Sequence, residues 1–497
     1  MTELLTGLGE ALTITNLSYC FLGCLLGTVV GILPGLGPAA TMAMLLPLSS
    51  YLPPASMIIM VAGVYYGAQY GGSTTSILMN IPGEASSVPS TLDGFQMTKK
   101  GRGGEALAIA AIGSFIAGTA GVTLLAFTGP MLAGFALRFG PPEYFCIILF
   151  SLTTVLSFSG RELSKGIIAA LVGMTLACVG LDPLSGKQRL VFGMPQFTGG
   201  LDLIAIVMGL FGIGEVLASA VSGVPSIYMG TLKGLIPRGV EMKKGICASM
   251  RGTMAGLALG LLPGIGPTAG AFIAYDIEKR VSKNPGQFGT GCIEGVAAPE
   301  AANNAVVQSG FIPLMALGIP TTPVMAILMA AFMLYGLNLG PTLFTQEHRH
   351  LTWTIITSMY IGNVILLILN LPLVGLWARL CLVPYRILGP IVLAICFVGA
   401  YSMRNNMFDV WICILFGIVG YAMKRRKWPV AALILGMILG PMFEHNLRAS
   451  MGMSGGSILI FIGRPIAAVF LTLTIISIII SYRILKRQSG SETEFLT

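Results

Sequence analysis

Apolar runs of membrane-spanning length recur along the chain, separated by short polar clusters. They fall near residues 105–137, 141–160, 164–180, 200–222, 351–378, 384–402, 408–423, 428–445 and 453–482. The last contains Ile458–Ser481, interrupted only by Arg464-Pro465. A helix needs about 20 apolar residues to cross a hydrocarbon core roughly 30 Å thick, and many of these runs approach or exceed that length. Alternating segments of about 10 residues, the mark of a closed β-barrel, do not occur. The pattern predicts an all-α polytopic membrane protein with about 11–12 transmembrane segments.

Some of the apolar stretches are broken. Gly31-Ile-Leu-Pro-Gly-Leu-Gly-Pro38 follows an apolar run directly and holds three glycines and two prolines among its interior and end positions. Proline lacks the amide donor and clashes with the preceding turn, and glycine adds backbone freedom, so a helix is expected to break there. The break returns as Gly260-Leu-Leu-Pro-Gly-Ile-Gly-Pro267. At one constant offset, Gly23, Gly27 and Gly31 match Gly252, Gly256 and Gly260. Such ladders let helices approach closely in lipid, and this packing role suffices for Gly23, Gly27, Gly252 and Gly256. A weaker match follows each break, where Gly71–Ser86 aligns with Ser309–Val324 around Pro82 and Pro320. The expected organisation is a first membrane repeat over 1–245, a second over 246–450, and an extra C-terminal span with a cytoplasmic tail over 451–497.

Charge supplies the sidedness. The cluster Lys424-Arg425-Arg426-Lys427 is expected in the cytoplasm, because basic loops stay inside. Counting spans from it puts Lys99, Lys100, Arg102, Lys233, Arg238, Lys243 and Arg379 inside and His348–His350 outside, with Lys187 and Arg189 as an outside exception. The first repeat then starts outside and the second inside, so the two are expected to be inverted. Inverted repeats with broken helices at corresponding positions are a feature of secondary transporters.

Composition agrees. The 497 residues are 55% hydrophobic and 10% charged, whereas soluble proteins carry about a quarter charged residues. The net charge of +9 lies in short loops between spans, which fits the positive-inside rule rather than a nucleic-acid face. Cys20, Cys24, Cys146, Cys178, Cys396 and Cys413 lie in apolar runs without CxxC spacing and are expected to pack. Three histidines, His348, His350 and His445, are too scattered for a metal site. Met1–Thr15 lacks the basic start of a cleavable signal and holds Glu3 and Glu10.

Backbone groups freed inside a membrane need partners from protein, water or ligand. The first turn of an interrupted helix offers amides and a positive dipole end to an anion, and the opposite end offers carbonyls to a sodium ion. An interfacial loop is the alternative for such a Gly-Pro break. The neighbouring segments are polar: Ser73, Thr74, Thr75, Ser76 and Asn80 before Pro82-Gly83-Glu84, then Glu300, Asn303, Asn304, Gln308 and Ser309. Glu300, Asn303 and Asn304 share a helix face by their spacing. They are candidate ion ligands, with interhelical hydrogen bonding as the plainer role and a basic partner or a cap as another for Glu300. Asp276, Glu278, Lys279 and Arg280 are expected to be a solvated cluster at a loop edge.

Taken together, "LPGLGP", "LPGIGP", "NIPGEASSVPSTLDGFQMTKKGRGGEAL", "AAPEAANNAVVQSGFIPLMALGIP" and "LGPMFEHNLRASMGMSGG…GRP" resemble the large membrane subunit of the tripartite tricarboxylate transporters, TctA, over about residues 15–470. The resemblance implies a bacterial inner-membrane secondary transporter for di- or tricarboxylates, driven by an ion gradient, often sodium. It also implies a small membrane subunit (TctB-like) and a periplasmic solute-binding protein (TctC-like) as partners. No nucleic acid, organic cofactor or transition metal is expected. The candidate substrate positions are Pro34, Gly35, Gly37, Ser73, Thr74, Thr75, Asn80, Pro82, Gly83, Pro263, Gly264, Gly266, Thr321 and Thr322; the candidate ion positions are Glu300, Asn303 and Asn304. Transport of another small organic anion, or a passive anion channel, is the alternative. A membrane-embedded enzyme would need a nucleophile–base pair or a metal, and no HExxH, GxSxG or intramembrane histidine pair occurs. Walker-type motifs are also absent.

Overall fold

A computed structural model describes residues 2–33, 37–80, 82–158, 163–182, 185–221, 237, 239–373, 376–377 and 385–494. Pro34 and Gly35, together with Lys233, Arg238 and Arg379, lie outside the described residues. The chain is helical almost throughout: α1 Thr2–Ala11, α2 Ile14–Ile32, α3 Pro38–Leu45, α4 Pro54–Met79, α5 Val88–Lys99, α6 Gly103–Ala136, α7 Pro141–Phe158 and α8 Leu163–Ala177. A two-stranded hairpin, Gly180–Leu181 with Gln188–Arg189, is followed by α9 Leu203–Val207, a π turn Met208–Ile213 and α10 Gly214–Val221. Then come α11 Val240–Gly260, α12 Pro267–Val281, α13 Glu294–Leu317, α14 Pro323–Leu334, α15 Arg349–Asn370, α16 Tyr385–Arg404, α17 Met407–Arg425, α18 Val430–Met453, a short α19 Ile460–Gly463 and α20 Pro465–Glu494. Among the described residues, six helices are long and apolar enough to cross a membrane. The protein is an all-α, multi-pass membrane protein.

The same order of parts occurs twice. α2, break, α3, α4, break, α5 and α6 is matched by α11, break, α12, α13, break, α14 and α15. The glycine ladders explain how each set is built. A Cβ on Gly27 would lie 2.5 Å from the Val64 carbonyl oxygen, and one on Gly256 would lie 2.5 Å from that of Ala302. Gly23 and Gly31 meet Met60 and Ala68 in the same way, as Gly252 and Gly260 meet Ala298 and Val306. α2 therefore rests backbone-to-backbone on α4, and α11 on α13, at equal steps of one helical turn.

α4 and α13 form the centre. Every residue from Ser56 to Met79 and from Gly295 to Ala316 is buried. A helix buried on all sides has no lipid-facing stripe, so it can carry polar groups that a lipid-facing helix cannot. α6 lies along α13, while α15 touches α2, α4 and α6. Outside this core, α8 packs closely on α18 through Gly173 and Gly436, and α7 packs on α20.

Two further contacts between the halves occupy matching places. α5 reaches the loop between α12 and α13, where fully buried Asp93 accepts from the amides of Gly289 (2.9 Å), Gly291 (2.8 Å) and Cys292 (2.9 Å) and from the Tyr275 hydroxyl (2.9 Å). Lys100 Nζ adds a bond to the Thr290 carbonyl at 2.7 Å. In the matching place, α14 ends beside the loop between α3 and α4, and the Tyr335 hydroxyl donates to the Leu52 carbonyl at 2.7 Å.

Three expectations change. The last long helix starts at Pro465 rather than near 453, because α18 runs on to Met453 as a polar extension held by Arg448–Glu444 at 2.6 Å. The helix expected to end near 378 closes at Asn370. Glu278 is no solvated loop residue: it sits on α12, 1% exposed, gripped by Arg251 at 2.6 and 2.8 Å. Arg189, expected outside against the basic-inside pattern, is paired with Asp182 and Glu444 (2.9 Å).

Candidate functional site

Each first break ends one helix and starts another with proline at its first position. α3 opens at Pro38 after an extended Gly37, and α12 opens at Pro267 after an extended Gly266. Proline's fixed φ suits a helix start, and its missing amide is not needed there. Neither helix has a side-chain cap. The first-turn amides of Ala39, Ala40, Thr268 and Ala269 therefore have no acceptor within their own helices, and the positive dipole end is left open.

Each second break follows a left-handed residue, Asn80 at φ +58° and Gly318 at φ +70°. Glycine and asparagine tolerate this conformation best. The breaks within each set then meet. The Gly264 amide donates to the Thr321 carbonyl at 2.9 Å, and a Cβ on Gly266 would lie 3.9 Å from Thr322 Cγ2. In the first set, Gly37 faces Glu84 Oε1 at 3.7 Å by the same measure, and Gly83 packs on the Gly31 carbonyl and Thr75. Pro263 is buried behind its break, whereas Asn80 and Pro82 are exposed at the edge of theirs.

The hydroxyl groups are already engaged. Ser73 Oγ donates to the Tyr70 carbonyl at 2.7 Å, and Thr75 and Ser76 donate to the Gly72 carbonyl at 3.3 and 2.9 Å. Thr74 is buried beside them. Thr322 Oγ1 accepts from the Met325 amide at 3.2 Å, capping α14, and lies 3.1 Å from the Tyr65 hydroxyl. Thr321 Oγ1 turns to Met325 Sδ at 3.2 Å. α14 is thus capped where α3 and α12 are open.

Glu300, Asn303 and Asn304 do come together. Asn303 Nδ2 donates to Glu300 Oε2 at 3.1 Å, and Asn304 Nδ2 donates to Asn303 Oδ1 at 2.8 Å and to Ser114 Oγ of α6 at 2.8 Å. Asn303 is held at both ends of its amide and positions its neighbours. Glu300 Oε1, Asn304 Oδ1 and Gln308 Oε1 are buried without a hydrogen-bond partner. Their spacing of four places them along one face of α13. Bare buried acceptors are costly unless something positive reaches them. Among the described residues, no group of three or more His, Cys, Asp or Glu side chains is arranged to hold a metal.

Several participants carry little signal in the sequence. The Tyr70 hydroxyl donates to Asn363 Oδ1 at 2.7 Å, and Asn363 Nδ2 bonds the Phe115 carbonyl and Thr119 Oγ1, both at 2.9 Å, so α4, α6 and α15 share one polar junction. Tyrosines in an apolar helix are a usable hint, because a buried hydroxyl seeks a partner. A single serine such as Ser114 is not.

Comparison with known proteins places this geometry in a family. A relative from Agrobacterium vitis, described as an uncharacterized 52.8 kDa protein in the TAR-I ttuC' 3' region, is 44% identical over 490 residues, covering 97% of this chain and 96% of the relative. A second from Agrobacterium vitis, described as an uncharacterized protein in the TAR-II ttuC' 3' region, is 48% identical over 226 residues, covering 46% of this chain and 93% of itself. No solved structure matches. The model of the tripartite tricarboxylate transporter TctA family matches residues 17–435. The chain belongs to that family, whose members are the large membrane subunit of a tripartite transport system.

Proposed function

We propose that this subunit carries a di- or tricarboxylate, citrate-like in its charge, into a bacterial cell across the inner membrane in symport with sodium. A TctC-like periplasmic protein delivers the anion, and a TctB-like small subunit completes the complex. The open N-termini of α3 and α12, through Gly37, Gly264, Gly266 and the residues beside them, receive the carboxylates. Ser73, Thr74 and Thr75 line the approach, and rotation of a hydroxyl frees a donor. Sodium sits on the oxygen face of α13, with Glu300 and Asn304 as ligands, Asn303 orienting both, and Gln308 extending the row. The two matched sets act as inverted repeats that exchange access by moving against each other.

The observation that carries the reading is the row of bare buried oxygens at Glu300, Asn304 and Gln308. A carboxyl oxygen and two amide oxygens set one turn apart along one helix face, each without a hydrogen-bond partner, are hard oxygen ligands of the kind an alkali cation takes. The test is uptake of labelled citrate by proteoliposomes holding the complete complex, with sodium varied outside. Asn304→Ala and Asn303→Ala are expected to raise the sodium concentration for half-maximal uptake by roughly tenfold or more, and Ser73→Ala is expected to slow uptake. Unchanged transport and sodium dependence in these variants rejects the site.

A further inference from the structure

The carboxylate of Glu84 stands where the first set differs most in chemistry from the second. It follows α4 in the second break, as Thr322 follows α13, and both face the glycine that precedes a half-helix: Gly37 at 3.7 Å from Glu84 Oε1, Gly266 at 3.9 Å from Thr322 Cγ2. Thr322 is neutral and engaged. Glu84 is half-buried: its Oε1 is buried without a hydrogen-bond partner, the Ala85 amide lies beside the carboxylate, and no ion pair reaches it among the described residues.

The surroundings determine what can neutralise it. α3 carries no ionisable residue. From α4, Gly72 packs against the Glu84 Cβ and backbone nitrogen. α12 packs on the turn after Glu84, but its Tyr275 is bonded to Asp93 and its Glu278 to Arg251, while Asp276 pairs with Arg280 on the exposed face beside Lys279. α13 presents Glu300, itself bonded to Asn303. Among the described residues no cation is held against Glu84, and the row of amide oxygens that continues from Glu300 along α13 has no counterpart here. A half-buried carboxyl group with one oxygen out of water and no cation beside it takes a proton more readily than one in open solvent.

We propose that Glu84 is a proton site coupled to the substrate anion, a second positive charge that enters beside sodium. The identity of the anion rests on the function proposed above. A carboxylate bound at the open N-terminus of α3 lies next to Glu84, and two like charges in one site cannot both stay ionised. Anion binding therefore draws one proton from the outer solution onto the Glu84 carboxylate oxygen, and the proton leaves with the anion on the far side. By linkage, protonation of Glu84 tightens anion binding by the same factor. The effect is complete at low pH and fades as pH rises through the range in which Glu84 loses its proton.

Two measurements test this on the purified complete complex. Infrared titration without substrate is expected to show a protonated carboxylic-acid C=O band in the wild type that Glu84→Gln lacks. Uptake of labelled citrate, at a fixed sodium gradient, is expected to fall by up to about tenfold per pH unit above the Glu84 titration in the wild type. It is expected to be flat in Glu84→Gln over the same buffers and to keep its slope in Glu84→Asp. A wild type without the Glu84-dependent band, or a Glu84→Gln variant with the wild-type pH slope, overturns the proposal. A wild type that shows the band yet takes up no citrate overturns only the anion assigned above.

Discussion

Asp93→Ala is expected to destabilise the protein by about 3 kcal/mol, the upper end of the cost of leaving buried donors without their acceptor. Four donors lose their acceptor at once: the amides of Gly289, Gly291 and Cys292 and the Tyr275 hydroxyl. None of the amides has a rotamer with which to find another, and the loop is pinned where it stands. Asp93→Asn is expected to fall in between, because its oxygen can replace Oδ1 while its NH2 group opposes the Tyr275 hydroxyl and the Gly289 amide. Thermal unfolding of the purified chain ranks the three. A local readout separates this joint from general damage. Burial first, and then the Asp93 charge, push the Cys292 thiol up to about 12, so it carries almost no thiolate at neutral pH. Maleimide labelling of the Cys292 peptide, followed by mass spectrometry, is expected to quicken in Asp93→Ala. A variant with wild-type unfolding and wild-type labelling contradicts the assignment.

Gly27→Val is the second large effect. Its Cβ alone would lie 2.5 Å from the Val64 carbonyl oxygen and 2.9 Å from the Gly67 and Val64 Cα atoms. These are backbone atoms of a helix that is buried along its length, so they cannot swing aside as a side-chain tip would. Overpacking typically costs about 1–3 kcal/mol, and a clash against backbone belongs at or above the top of that range. Gly256→Val, against Ala302, is expected to match it. Gly134→Ala is the contrasting case: it lies in α6 with nothing within 4 Å of the added carbon, and is expected to be neutral or to stabilise by about 0.4–1 kcal/mol. Folded yield and thermal unfolding across the set decide the matter. Equal losses at Gly27 and Gly134 would mean that close approach to the neighbouring backbone does not set the cost.

Much of this architecture is legible in the residues themselves. Apolar length places most helices to within a few residues, and the duplicated glycine ladder with its Gly-Pro break marks two helix pairs before any coordinate is known. The breaks are readable because proline and glycine act locally. The joints are not, because they depend on contacts far apart in the chain. Asp93 looks like any acidic residue on an amphipathic helix, and only the fold brings three amides from a loop almost two hundred residues later onto it. Glu278 misleads for the same reason: its exposed neighbours Asp276 and Arg280 suggest solvent, while its partner Arg251 lies on another helix. At the site, helical spacing groups Glu300, Asn303 and Asn304 correctly. It does not reveal that Asn303 is spent on orienting the other two.

The two matching contacts at the ends of α5 and α14 are unequal, and this sets which loop opens first. One is a carboxylate clasped by four donors; the other is the single bond from Tyr335 to the Leu52 carbonyl. Local opening follows the weaker seam. Deuterium is therefore expected to enter the backbone around Leu52 and the end of α14 well before it enters Gly289–Cys292.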